Sequence, residues 1–217
     1  MSRGLSRLEP VEVGRARPGS RVLEGRAKYA SWLTQPLWQL HFVIDGVSVR
    51  ERLLSLELPE PYGFGDFDMV SVADAAWPDE AALALRRLMG QEDQSENWGV
   101  LDEGRLPLYV CQECGDVYCG AITVAVRRAV DPTSGVGVVR WEQMRYEDAQ
   151  TPADEMPDLS AVGPFTFDAQ QYDRTLSGPL VRLDQLVEAE HRTQVAWKER
   201  RRISSRLRRA CHLTRPP

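Results

Sequence analysis

The stretch from Leu106 to Glu147 limits the possible folds more than any other part of the chain. An apolar run ends in Cys111-Gln-Glu-Cys114-Gly-Asp-Val-Tyr-Cys119-Gly, and two strand-like segments follow it. Leu108-Tyr109-Val110 and Ala121-Ile122-Thr123-Val124-Ala125-Val126 are rich in the β-branched and aromatic residues that suit a pleated surface. Asp131-Pro132-Thr133-Ser134-Gly135 then supplies a fixed φ at proline and a permissive position at glycine, which predicts a turn. Beyond it, Val139, Trp141, Gln143 and Arg145 share one parity, and Val138, Met144 and Tyr146 the other. Consecutive strands with short connections predict an antiparallel β-meander carrying a cysteine-bearing turn.

A second hairpin is expected upstream, where Leu40-His41-Phe42-Val43-Ile44 and Val47-Ser48-Val49 flank Asp45-Gly46, the pair best suited to a two-residue β-turn. Pro59 to Asp68 carries Tyr62, Phe64 and Phe67 among prolines and glycines and predicts an aromatic loop. From Trp77-Pro78-Asp79-Glu80 to Gly90, the early proline and acids, the late Arg86-Arg87 pair and the terminal glycine predict a short helix. Glu147 to Pro157 is acidic and interrupted by proline, as a loop would be. Asp168 is placed to cap a second helix that buries Tyr172 and Leu176, with Gly178-Pro179 expected to stop it. From Leu180 to Ala210 the apolar stripe is thin, which predicts a partly exposed helical arm.

The expected fold is therefore α+β, an antiparallel meander of about five strands with two short helices and a C-terminal helical arm. Three regions are expected: a flexible basic segment over 1–28, a core over 29–178 and a basic helical arm over 179–217. Charge follows the same division. The net charge is −5, but the first segment carries +4 and the residues from Arg182 onward +6, so the body between them holds −15. Basic ends can bind nucleic acid or an anionic partner, or lie back on the acidic body. Of the 27 cations all but Lys28 and Lys198 are arginine, a bias that points to a GC-rich bacterial genome. No run is long and apolar enough for a membrane span, and the arginine-bearing N-terminus lacks the apolar segment of a secretory signal, so the expected location is cytoplasmic.

Cys114-Gly-Asp-x-x-Cys119-Gly-Ala-Ile-Thr-Val124, followed by a strand near Trp141 and by Gly163-Pro-Phe-x-Phe-Asp168 and Tyr172, resembles a group of uncharacterised actinobacterial proteins. The resemblance covers roughly Leu40 to Leu176 and omits both basic ends. It implies a shared order of elements and no particular substrate.

Cys111, Cys114 and Cys119 have a Cys-x2-Cys-x4-Cys spacing that could direct thiolates at one zinc ion, with a fourth ligand among His41, Cys211 and His212, or His191 or Asp116. The same thiols could form a redox pair, or fill a tight turn beside Gly115 and Gly120 as small buried groups. No phosphate-binding glycine loop and no nucleophile elbow occur. In the tail, Arg200, Arg201, Arg202, Arg206, Arg208 and Arg209 could meet phosphates or another anionic partner. The acidic body opposes a polyanion.

The function expected from the sequence is a non-catalytic binding or protein-interaction role, without a cofactor, in which the sheet edge, the aromatic loop or the basic arm meets a protein partner. The alternatives are a thiol- or zinc-dependent enzyme centred on the cysteine turn, and nucleic-acid binding through the arm.

Overall fold

The computed structural model describes residues 5–14, 38–56, 69–74, 77–92, 101, 104–111, 117–149, 151–152 and 154–213, without the side chains of 12–14, 38–39, 70 and 197–213. Among them the chain forms β1 (Leu8–Gly14), β2 (Trp38–Ile44), β3 (Val47–Ser48), α1 (Val49–Leu54), β4 (Met69–Ser71), α2 (Pro78–Leu88), β5 (Arg105–Cys111), β6 (Ala121–Val130), β7 (Gly137–Glu147), β8 (Phe165–Asp168) and α3 (Ala169–Leu213). A 3-10 turn, Val117–Cys119, precedes β6. The class is α+β, as expected, and the meander is present as a five-stranded antiparallel sheet in the order β4-β5-β6-β7-β8. A three-stranded sheet, β1-β2-β3, lies beside it.

Local chemistry accounts for most of these elements. Asp45 and Gly46 both take positive φ, 53° and 79°, as a two-residue turn between right-twisted strands requires. β3 ends at Ser48 because that residue also caps α1: its hydroxyl accepts from Arg50 N at 3.2 Å and the Glu51 carboxylate accepts from Ser48 N at 3.2 Å. At the β6–β7 turn, the Asp131 carboxylate accepts from the backbone N–H of Thr133 and Ser134, each at 2.9 Å. α2 starts at Pro78 and closes before Gly90, whose φ is 66°.

The two sheets meet at both margins. Ser6 N donates to Thr166 O at 2.7 Å on one side, and Leu40 N donates to Ala73 O at 3.0 Å on the other. One core therefore lies between them, with Leu40, Phe42 and Ile44 from β2 facing Ile122, Val124, Val139 and Trp141 from β6 and β7. Trp141 sits edge-to-face with Phe42 and Phe167, ring centroids 5.4 Å away in each case. α2 and α3 close this core with Leu85, Leu88, Tyr172, Leu176, Leu180 and Leu183.

Two expected boundaries are corrected. Residues 1–28 were expected to be flexible, yet Leu8–Gly14 pairs along its whole length with β2, and Leu8 is buried in the core. The expected stop at Gly178-Pro179 does not occur either. Pro179 lies inside α3, because buried Leu176 on one side and Leu180 and Leu183 on the other dock the helix across it. Tertiary burial outweighs the hydrogen bond that proline removes. The region expected as an arm from 179 thus begins inside the core, and Leu183 is its last buried residue among those described. Asp168 does cap α3, accepting from Gln171 N at 2.8 Å. No helix among the described residues is long and apolar enough to cross a membrane.

The Tyr172 hydroxyl is placed between two elements. It accepts from Trp141 Nε1 at 3.1 Å and donates to Leu88 O at 3.2 Å, tying β7, α3 and the end of α2 together. Burial pushes its ionisation far above the usual phenol range. Tyr172→Phe is expected to lower stability by about 1–3 kcal/mol, since it leaves a buried indole N–H and a buried carbonyl without that partner. Urea unfolding checks this: an unchanged midpoint would mean that water replaces the hydroxyl.

Candidate functional site

The residues singled out from the sequence do not gather into one site among those described. Cys111 ends β5 opposite Met69 and is half-buried, while Cys119 lies exposed in the 3-10 turn. Cys114 and Asp116 fall outside the described residues, as does the aromatic loop at Tyr62, Phe64 and Phe67. His41 is on β2 opposite Val11, in the other sheet from the cysteine turn. Burial and the Arg50 guanidinium hold its pKa below the ordinary histidine value, with Glu51 opposing them. His191 is exposed on α3. Cys211 and His212 lie in the last turn of α3, and Arg200, Arg201, Arg202, Arg206, Arg208 and Arg209 on the helix before them, all with side chains outside the description. Among the described residues no three His, Cys, Asp or Glu side chains are grouped to hold a metal ion.

What the fold does assemble lies along β7. The pairing of β6 with β7 shifts by one residue between Thr123–Arg145 and Ala125–Glu142, so that Gln143 and Met144 together oppose Val124. This is a β-bulge, and Gln143 takes a φ of 53° to make it. The extra residue reverses the parity of the strand. Val139 and Trp141 point into the core before it and Met144 after it, which resolves the mixed apolar pattern of this segment.

The bulge also turns the Gln143 carbonyl toward a buried charge. Arg105, 4% exposed, donates from Nη2 to Gln143 O at 2.6 Å and to Thr123 Oγ1 at 2.9 Å. Its Nε donates to Glu147 Oε2 at 3.0 Å, and the Thr123 hydroxyl donates to the same carboxylate oxygen. The ends of β5 and β7 are thereby cross-linked over β6. A charge pair this deeply buried needs such additional donors and acceptors to offset its desolvation.

β8 pairs with β7 only from Val138 to Trp141. Beyond that point the outer side of β7 faces the segment from Asp148 to Pro164, and among the described residues a single bridge, Arg145–Asp158, joins them. Between strand and loop lies a cleft of about 680 Å³, lined by Met144, Tyr146, Asp148, Met156, Leu159 and Ser160 among others. Gln143, Met144 and Ser160 also line a second hollow of about 360 Å³, against Trp141, Val162 and Pro164. Cavities of this size are ordinary for ligand sites.

The loop wall is anchored at several points. Leu159 and Val162 are buried in the main core. The Asp148 carboxylate accepts from Thr151 N at 2.6 Å and from Thr151 Oγ1 at 2.9 Å. The Asp158 carboxylate accepts from Ser160 N at 2.8 Å and from Ser160 Oγ at 3.0 Å. Those donors hold the Asp158 carboxyl below the usual carboxylate range, so it is anionic at neutral pH. From Glu147 to Asp158 the chain carries Glu147, Asp148, Asp154, Glu155 and Asp158 and no cation. Glu147 is balanced by Arg105, and Arg145 is the cation on the lining. The cleft thus offers thioether and apolar contacts beside carboxylates.

In the sequence the acidic run could be recognised as a loop, but its pairing with β7 depends on how far β8 reaches. Arg105, a single arginine ahead of an apolar run, carried no sign of its distant partners. The mixed parity at Gln143 was the one local trace of the bulge. Comparison of the chain with protein-family models, with curated proteins and with solved structures finds no match.

Proposed function

We propose that the protein is a non-catalytic binding protein whose ligand enters the cleft between β7 and the Asp148 to Pro164 segment, the ligand belonging to a protein partner. The observation that carries this reading is the pair of adjoining hollows where β7 outruns β8, with the part-exposed Met156 and Pro157 beside carboxylates fixed by their own turns. Concave sites of this size with a few oriented polar groups bury a ligand well, and methionine adapts to varied shapes. The Asp148 and Asp158 turns orient the carboxylates without requiring them to reorganise on binding.

Ser160 lines both hollows and is exposed, so Ser160→Trp fills the cleft and removes the hydroxyl that donates to Asp158, two losses at the same site that leave the buried core side chains in place. The test is a thermal-shift screen of charged and apolar peptides and small molecules on the two proteins. A true ligand at about one hundred times its Kd stabilises the native state by about 2.7 kcal/mol. It is expected to raise the melting temperature of the unmodified protein and to leave that of the tryptophan variant unchanged. Ligands that stabilise both proteins equally would place binding elsewhere and overturn the reading.

A further inference from the structure

We infer that the C-terminal part of α3 binds double-stranded DNA through its phosphates, a role separate from the cleft. The positive charge is concentrated there. Between Lys198 and Arg209 the chain carries seven cations and one carboxylate, and six of the seven are Arg200, Arg201, Arg202, Arg206, Arg208 and Arg209. Arginine suits phosphate because its planar fork donates two parallel hydrogen bonds and keeps its charge at any physiological pH.

The acidic body would repel a polyanion, but α3 carries the arginines away from it. The helix runs from Ala169 to Leu213, and Leu183 is its last buried residue among those described. At 1.5 Å per residue, Lys198 lies about 22 Å further along the axis. That is more than two screening lengths at physiological salt, where one is about 8 Å. On the way His191, Arg192, Gln194, Val195 and Ala196 are exposed, as in a helix leaving the body. Repulsion is therefore largely screened where the arginines begin, and the continuity of the helix keeps its backbone from folding back.

A second copy of the chain is a poorer acceptor than a nucleic acid. On the body, Glu142, Glu147 and Asp173 pair with Arg127, Arg105 and Arg128 of their own chain, and Asp131, Asp148 and Asp158 accept from their own turns. Duplex DNA instead offers one phosphate charge per ~1.7 Å of its axis. Its major groove, about 12 Å wide, admits an α-helix. The deep, narrow major groove of A-form RNA does not, which favours DNA.

The experiment follows the fluorescence anisotropy of a labelled DNA duplex with the full chain over a series of salt concentrations. Affinity is expected to fall as salt rises, with a log–log slope of up to about −6 if all seven cations neutralise phosphates. Glutamine at the six arginine positions, which suits a helix, is expected to weaken binding at least about tenfold and to flatten the slope to about −1. Lysine at the same six positions should keep the slope, since the phosphate attraction follows charge. Ser160→Trp should change neither affinity nor slope, and an RNA duplex of equal length should bind at least about fivefold more weakly. Unchanged binding in the glutamine variant would overturn the assignment to the arm, and binding lost in the lysine variant as well would overturn charge as its basis. Equal affinity for the two duplexes would overturn the fit to the DNA groove, and no binding at low salt would overturn the inference outright. Salt-sensitive self-association without DNA, lost in the glutamine variant, would give the arm to a second copy and overturn it too.

Discussion

Arg105→Met is expected to destabilise the fold by about 3–5 kcal/mol, because it leaves the Glu147 carboxylate buried without its counter-charge. The side chains of Arg105 and Glu147 are 4% and 8% exposed, so solvent screening relieves little of that cost. Glu147→Leu alone should cost a similar amount, now by stranding the guanidinium. The combined Arg105→Met and Glu147→Leu variant should recover much of the loss, since an apolar pair of comparable volume removes both charges together. Thr123 moderates the recovery. Its hydroxyl accepts from Arg105 and donates to Glu147, so adding Thr123→Val removes a hydroxyl that has lost both and should recover more, although the Gln143 carbonyl still lacks the Arg105 donor. Urea unfolding of the single, double and triple variants measures the coupling. Single substitutions costing under about 1 kcal/mol would mean that water reaches the pair and that it does not hold the bulge. The same variants bear on the cleft, because Arg105 also holds the Gln143 carbonyl.

Trp141→Ala is expected to cost about 3–5 kcal/mol, the range for removing a large aromatic from a close-packed core. Trp141 is almost fully buried, and Phe42 from the smaller sheet, Phe167 from β8 and Tyr172 from α3 pack on its ring. Its removal opens a cavity where both sheets and the helix meet. Trp141→Phe should cost distinctly less, as it keeps ring contacts and loses the N–H donated to Tyr172. Combining Trp141→Phe with Tyr172→Phe should fall short of the sum of the two single losses, since both delete one hydrogen bond. Calorimetry, with near-ultraviolet dichroism for the fixed ring environment, reads these differences. A fully additive pair would show that the hydrogen bond contributes nothing beyond packing.

Part of the molecule is written in residues close together. Asp45-Gly46, the turn at Asp131, the helix opened by Pro78, and Asp168 ahead of Tyr172 each specify their element by chemistry acting over a few residues. So do the β-branched and aromatic runs, joined by short connections, that make β5, β6 and β7 a meander. Burial overrode local preference at Leu8, which turns a proline- and glycine-bearing segment into a strand, and at Pro179, across which Leu176, Leu180 and Leu183 carry the helix.

The cleft belongs to neither local rule. It exists because β8 pairs with β7 only as far as Trp141 while β7 continues to Glu147, because a bulge at Gln143 turns Met144 inward, and because Arg105 meets a carboxylate distant in sequence. Sequence by itself determined the α+β class, the meander, the caps and the acidic character of the loop, since these depend on periodicity, turn chemistry and composition. Tertiary structure alone decided strand overhang, the partner of a buried charge and the distance between loop and sheet, because each is settled by packing between segments that no short-range pattern relates.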